Sequence, residues 1–135
     1  MSLNYPVRRI TEDIPENSIT QRIIKCAIEV HKQLGPGLLE NIYETAMTVE
    51  FELEGLTYKR QLEIPVIYKG RQLGDYRLDL LVEDMVVVEV KSFERFDPVF
   101  EAQILSYMKL AGKKVGLLIN FNSKMVKDGI KRFVL

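Results

Sequence analysis

Cysteine and histidine are almost missing from this sequence, since its 135 residues contain one of each, Cys26 and His31. A single cysteine cannot form an intramolecular disulfide, so the chain is not a disulfide scaffold and a reducing, cytoplasmic location is expected. A Cys/His metal site or a thiol–imidazole pair needs more partners than these two residues supply. We therefore expect Cys26 to be a small core residue and His31 a solvated or capping one.

Net charge and long apolar runs are missing too. The 19 basic and 19 acidic residues cancel, so no global field draws the chain to nucleic acid or to a membrane, although a local patch remains compatible with this balance. No apolar run reaches membrane-spanning length, and no charged-then-apolar leader opens the sequence. The composition predicts one globular domain over residues 1–135 with no membrane contact, its residues 1–15 forming a loosely held arm.

Hydrophobic periodicity divides the chain into helices and strands. Apolar residues at helical spacing predict a helix over residues 18–34, begun by a capping-box pair, Ser18 and Gln21, and a second over residues 38–54. Alternation then predicts strands over residues 56–68, 73–82 and 86–92, with Pro65 at an edge or a bulge. Asp97 and Pro98 open a third helix that ends at Gly112, residues 115–121 form a buried strand, and a basic tail follows.

These elements define an α/β fold. The third helix joins two apolar strands over the length of a right-handed crossover, so the third and fourth strands should be parallel. Short turns connect the first three strands, which should form an antiparallel meander. The expected architecture is a mixed four-stranded sheet flanked by helices, in the order α-α-β-β-β-α-β.

The third strand carries an unexpected pair of charges in "VVVEVKS", residues 86–92. Glu89 and Lys91 share one face of this strand, and Asp79 precedes it on the second strand. A three-residue loop between the strands would place Asp79 beside Glu89, whereas a two-residue Glu83-Asp84 loop would send the two carboxylates to opposite faces. The sequence leaves both loop lengths open.

Two adjacent carboxylates imply a cation. At about 5 Å they repel each other, and Mg²⁺ or Mn²⁺ would relieve that repulsion, polarise a phosphate and lower the pKa of a bound water. Lys91 would orient that water or stabilise developing phosphate charge. The alternative is a wet sheet face on which Asp79 and Glu89 simply neutralise Arg77 and Lys91.

Three motifs carry a resemblance to a known family. Asp79 followed by Glu89-Val90-Lys91 resembles the D…(D/E)xK signature of the PD-(D/E)xK nuclease superfamily. Residues 37–43, GLLENIY, resemble the GxxExxY motif of a small prokaryotic branch of that superfamily. Gln103 and Tyr107 resemble the QxxxY element of RecB-like nucleases. The resemblance covers nearly the whole chain and implies a restriction-endonuclease-like fold.

The resemblance also implies roles for individual residues. Asp79 and Glu89 would bind Mg²⁺ or Mn²⁺, with the Val90 carbonyl as a further ligand, and Glu40 would complete the acidic cluster. Lys91 would be the catalytic lysine. The family's usual proline before the first acidic residue is replaced by Leu78.

Gln103 and Tyr107, one helical turn apart, would flank the site and hold substrate or the catalytic lysine. Each of these residues also has a simpler explanation. The helix dipole favours Glu40 near a helix N-terminus without any function, and Gln103 and Tyr107 form an ordinary half-buried pair in that alternative. For Tyr43 a packing role with a satisfied hydroxyl is the favoured interpretation.

The function implied by the resemblance is metal-dependent hydrolysis of phosphodiester bonds in nucleic acid, with DNA the favoured substrate. The alternative is a slow or idle nuclease-fold module used for nucleic-acid binding or protein assembly. Residues 113–135 carry a net charge of +5. The basic surface that they form would either track a phosphate backbone or simply be solvated. Without a separate recognition domain, binding would need a homodimer, a partner protein, or an end or branch of the nucleic acid.

Overall fold

The computed structural model describes residues 13–95 and 97–135 of the chain. Two helices come first, α1 (Glu16–Leu34) and α2 (Glu40–Glu54). Three strands follow, β1 (Tyr58–Tyr68), β2 (Arg71–Val82) and β3 (Val86–Lys91), and then α3 (Pro98–Ala111) and β4 (Val115–Asn120). A 3-10 turn (Val126–Gly129) leads to a last strand, β5 (Ile130–Val134). This order confirms the predicted α/β class.

The strands form one mixed sheet in the order β1-β2-β3-β4-β5. The pairs β1/β2 and β2/β3 are antiparallel and β3/β4 is parallel, as the crossover argument predicts. The predicted count of four strands is wrong, because the segment assigned to a basic tail contains β5, which pairs antiparallel with β4. The middle of this short strand holds two adjacent charged residues, Lys131 and Arg132, which interrupt the alternation of apolar and polar residues that predicts a strand.

Several predicted boundaries are confirmed. Gly55 and Gly112 end their helices in the left-handed conformation, and the Asp97 carboxylate accepts a hydrogen bond from the Val99 N–H at 3.0 Å. The start of α1 differs from the capping-box prediction. Its first residue is Glu16, and the Ser18 hydroxyl donates to the Pro15 carbonyl instead of capping the helix.

The expectations for the two rare residues have different outcomes. Cys26 is buried in the core, as predicted. His31 is half-buried rather than solvated, and its Nε2 lies 2.8 Å from the Ser123 carbonyl oxygen, to which it donates. Of the predicted arm, residues 1–12 lie outside the described residues, and Ile14 packs against the core. No helix within residues 13–95 and 97–135 is long and apolar enough to cross a membrane.

Two apolar clusters cover the two faces of the sheet. The first packs α1 and α2 against one face, and the second packs α3 against the other. Leu80 and Val82 belong to the first cluster, whereas Leu78 and Leu81 belong to the second. Period-two alternation along the sequence predicts that Leu78, Leu80 and Val82 share a face; this prediction is wrong, because the alternation of β2 breaks between Leu78 and Leu80.

The break has a local cause in β1. Gln61 lies opposite Asp79, between the pairs Arg60↔Leu80 and Leu62↔Leu78, and its φ of +53° is left-handed. A non-glycine residue in this conformation interrupts the pleat. The side chains of both strands therefore change from one face of the sheet to the other at this position. Asp79 thus occupies the one point of β2 where the side-chain direction switches between the two clusters.

Candidate active site

The β2–β3 hairpin brings Asp79 to Glu89. Its register is Val82↔Val86, Leu81↔Val87 and Leu80↔Val88, so the loop holds three residues and the odd-loop condition is met. The two-residue alternative is excluded by this register. The paired ladder ends at Leu80↔Val88, one step before Asp79 and Glu89 would face each other.

Beyond that point, side chains replace the backbone ladder. The Asp79 N–H donates to Glu89 Oε2 at 3.2 Å, and the Val90 N–H donates to Asp79 Oδ2 at 2.8 Å. Each carboxylate is thus held by a backbone N–H of the opposite strand. Glu89 is 3% exposed and Asp79 is half-buried, so both carboxylates are fixed at the place where β2 and β3 separate.

The positive charge of Lys91 only partly compensates the buried pair. The pKa of Glu89 is raised from 4.5 to about 9, first by burial and then by the Asp79 charge and a hydrogen bond to its carboxyl, against the opposing effects of the Asp79 N–H and of Lys91. At neutral pH the two carboxyls therefore retain a proton between them. A cation bound at this position would displace that proton.

The oxygen donors fit a hard divalent cation. Mg²⁺ is commonly held by one or two carboxylates, keeps several waters and takes the rest of its ligands from substrate phosphates. Asp79 and Glu89 supply those two carboxylates. Within residues 13–95 and 97–135, however, no three Asp, Glu, His or Cys side chains are close enough to form a ready ligand set.

Glu40 shares a cavity with Asp79 but not with Glu89. A cavity of about 170 Å³ is lined by Glu40, Asp79 and Val90, together with Asn41, Glu44 and Gln61. Glu40 is the first residue of α2 and its side chain is exposed. The Val90 side chain belongs to the core cluster under α1 and α2, whereas its N–H binds Asp79.

The loop before Glu40 is fixed by Tyr43. The Tyr43 hydroxyl donates to the Gly35 carbonyl at 2.5 Å and accepts from the Leu38 N–H at 3.0 Å, and its buried ring stacks on Phe121 at 4.6 Å. Ser92 donates to the Leu38 carbonyl at 2.7 Å. The prediction of a packing role with a satisfied hydroxyl is confirmed, and the same bonds set where α2 begins.

Lys91 lies next to the acidic pair on a half-buried stretch of β3. Its ammonium is 4.8 Å from the centroid of the Phe100 ring, which stacks on Phe93 at the same centroid distance. The Lys91 charge lowers the pKa of Glu89, although burial outweighs it. The ammonium is therefore within the field of the carboxylates while an aromatic face supports it.

The α3 residues reach the site to different degrees. Tyr107 is half-buried, and burial followed by the charge of Glu89 raises the pKa of its phenol, with smaller effects from Tyr76 and Asp79. Its hydroxyl therefore stays protonated at neutral pH and lies within the electrostatic influence of the acidic pair. Gln103, one turn earlier, is half-buried, and among the described residues its side chain makes no hydrogen bond.

A second carboxylate on α2 is absent from the site residues predicted from the sequence. Glu44 is 5% exposed and accepts hydrogen bonds from Arg60 Nε at 2.8 Å and from Gln61 Nε2 at 2.6 Å. It thereby anchors Gln61, at the break opposite Asp79, and the preceding residue Arg60. Its position between the core residues Tyr43 and Met47 was the available signal, since a carboxylate there must find a partner.

The fold and these residues define a nuclease-like domain. The family model of the PD-(D/E)XK nuclease superfamily matches residues 17–133, and the chain belongs to that superfamily. Members of this superfamily generally use divalent metals. A search of curated proteins and a search of solved structures give no match.

Proposed function

We propose that the protein is a metal-dependent phosphodiesterase that hydrolyses nucleic acid, with DNA the favoured substrate, and that it belongs to the GxxExxY branch of its superfamily. The observation that carries this proposal is the Asp79–Glu89 pair, held by crossed backbone hydrogen bonds with Lys91 beside it. A cytoplasmic location is part of the same proposal.

The acidic residues and one carbonyl would hold the cation. Asp79 and Glu89 would be the main ligands of Mg²⁺ or Mn²⁺, with the Val90 carbonyl and Glu40 as further ligands. The shared cavity supports the position of Glu40. When bound, the cation would polarise the phosphate and lower the pKa of a water molecule.

The remaining residues would act on the phosphate directly. The Lys91 ammonium would stabilise negative charge that develops on the phosphate oxygens, and its support by Phe100 limits the motion of the side chain. The protonated Tyr107 hydroxyl would donate to the same oxygens or to the substrate strand. Gln103 has an unused amide that would hold substrate or Lys91 in place.

A second candidate function is nucleic-acid binding or protein assembly, as a homodimer or with a partner protein, by a slow or idle site. It is favoured by the exposed Glu40 and by the absence of a third clustered carboxylate in the described part of the chain. The two functions share the fold and the acidic pair. They differ in whether Lys91 affects turnover.

Cleavage of labelled single-stranded, duplex and branched DNA, and of the matching RNAs, tests the proposal. Each substrate is incubated with Mn²⁺ and either the wild type, Lys91→Ala or Lys124→Ala, the last removing an exposed lysine outside the site. We expect Lys91→Ala to lower the rate at least 100-fold and Lys124→Ala to leave it unchanged. If the wild type and Lys91→Ala are equally inert on every substrate, the nuclease function is rejected.

A further inference from the structure

The β1–β2 hairpin extends beyond the body of the domain. Residues 67–77 are all exposed, and none of them belongs to either core cluster. From residue 77 to the turn at residues 69–70 the strands span about 20 Å at 3.3 Å per residue. We call residues 67–77 the β1–β2 arm.

The tip of the arm combines positive charge with an aromatic ring. Tyr68 is 57% exposed, and the Lys69 ammonium lies 5.4 Å from the centroid of its ring. Arg71 makes no ion pair with any residue that the structure describes. Ile67 and Leu73 expose 56% and 66% of their surface at the same tip. This exposed apolar surface is unusual for a hairpin tip that contacts only solvent.

The negative charge of the arm is small and already engaged. Asp75 is its single carboxylate, and Asp75 Oδ1 accepts a hydrogen bond from Gln72 at 2.8 Å. Arg77, at the base, pairs with Glu63 of β1 at 3.2 Å. No carboxylate among the described residues therefore pairs with Lys69 or Arg71. An external anion fits these cations, and apolar surface carried by the same ligand fits the flanking aromatic and aliphatic groups.

The arm is continuous with the acidic site. The ring of Tyr76 packs on that of Tyr107 with centroids 4.8 Å apart. Tyr107 in turn lies within the field of Glu89 and Asp79. A ligand on the arm would thus run along one surface toward the carboxylate pair.

The C-terminal basic segment offers less free charge than its sequence suggests. Lys113, Lys114 and Lys131 pair with Asp84, Glu16 and Glu101. Arg132 donates to Asn17. Among the six basic residues of this segment, Lys124 and Lys127 are the ones that no partner within the described residues holds.

We propose that the β1–β2 arm binds a single-stranded segment of nucleic acid and leads it to the carboxylate pair, an inference that rests on the proposed function. Lys69 and Arg71 contact the phosphates, and the Tyr68 ring stacks on a base. A single strand is the favoured ligand because its unstacked bases offer π-faces, whereas those of a duplex are already stacked. A strand end, a flap or a branch supplies such a segment.

Binding without divalent metal tests this proposal separately from cleavage. Fluorescence anisotropy of a labelled single-stranded DNA in EDTA gives the affinity and its salt dependence. In Lys69→Ala/Arg71→Ala, the slope of log affinity against log salt should fall by about 1.4, at 0.7 for each of two phosphates. Tyr68→Ala should lower the affinity about tenfold and leave the slope unchanged.

The matched control is Lys124→Ala/Lys127→Ala, which removes the same charge from an exposed segment away from the arm and should leave the slope near that of the wild type. The proposal is overturned if both double variants have the same slope, if the wild type binds duplex as tightly as single strand, or if the arm variants change the monomer–dimer equilibrium in light scattering and not the affinity.

Cleavage assays on the same variants separate the two proposals. Arm-dependent binding without cleavage rejects only the nuclease function, and wild-type cleavage by the arm variants rejects only the role of the arm.

Discussion

The carboxylates of Asp79 and Glu89 link β2 to β3 just beyond the end of the backbone ladder. The Glu89 carboxylate accepts the Asp79 N–H, and the Asp79 carboxylate accepts the N–H of Val90, the residue after Glu89. These bonds stand where two antiparallel strands would otherwise continue their ladder. The acidic pair therefore satisfies the backbone of the separating strands and at the same time concentrates negative charge in a buried place.

The stability of the metal-free protein should depend on the proton kept by Glu89. Unfolded Glu89 loses its proton near 4.5 and folded Glu89 near 9, so the folded state binds more protons between these pH values. The stabilisation is complete below about 4.5 and is lost as the pH rises toward 9. Melting temperatures in EDTA from pH 5 to pH 9 should therefore fall more steeply for the wild type than for Glu89→Gln. Parallel curves would contradict this origin of the shift.

Metal binding should release a proton. Because Glu89 is protonated at neutral pH in the metal-free site, a divalent ion that uses its carboxylate displaces about one proton. Calorimetric titration of Mn²⁺ at pH 7 in two buffers with different ionisation enthalpies measures that number. Glu89→Gln should bind more weakly and release none, and Asp79→Ala should bind little or no metal. Equal proton release by the wild type and Glu89→Gln would rule out Glu89 as the source.

The sequence predicts the elements well because their signals are local. Helix periodicity, the glycines at Gly55 and Gly112 and the Asp97-Pro98 start each act within a few residues. The acidic pair was predictable except for the length of the β2–β3 loop. An odd number of loop residues places Asp79 beside Glu89, and an even number places them on opposite faces. The β5 strand was not predictable in this way, because Lys131 and Arg132 interrupt a strand that is only five residues long.

The rest of the site depends on long-range contacts. The break at Gln61 and Asp79 involves two strands, and Glu44 on α2 contacts Gln61 itself and the preceding residue Arg60. Period-two alternation alone therefore misplaces Leu78 by one face. The same limit applies to the C-terminal charges, whose sum over the sequence says nothing about which ones pair within the fold.

Glu44 should be important for the stability of the fold and for the orientation of the Asp79 side chain. Glu44→Ala leaves the partly exposed Arg60 without its carboxylate and frees Gln61 from the bond that accompanies its left-handed backbone. We expect a loss of about 1–3 kcal/mol in the free energy of unfolding and weaker metal binding. Urea denaturation and Mn²⁺ calorimetry measure the two effects.

The control for Glu44 is one turn earlier on the same helix. Glu40→Ala removes an exposed carboxylate, so its free energy of unfolding should stay within about 0.5 kcal/mol of the wild type. If Glu40 is a ligand, cleavage and metal affinity should nevertheless fall. Equal destabilisation by the two substitutions would show that the buried contacts of Glu44 are not the cause.

Tyr43→Phe should separate the two roles of this tyrosine. The substitution keeps the ring that stacks on Phe121 but removes the hydroxyl that joins the Gly35 carbonyl to the Leu38 N–H. Both backbone groups lose a buried partner, so we expect a loss of about 1–3 kcal/mol in the free energy of unfolding by urea. The loop before Glu40 should also exchange its amide protons faster, whereas the exchange rates of β3 and β4 should not change.

Tyr58→Phe, which removes the exposed hydrogen bond to Glu52, is the control and should lose less than about 1 kcal/mol. If the two variants are equally stable, the hydroxyl of Tyr43 does not hold the loop, and packing alone explains the tyrosine.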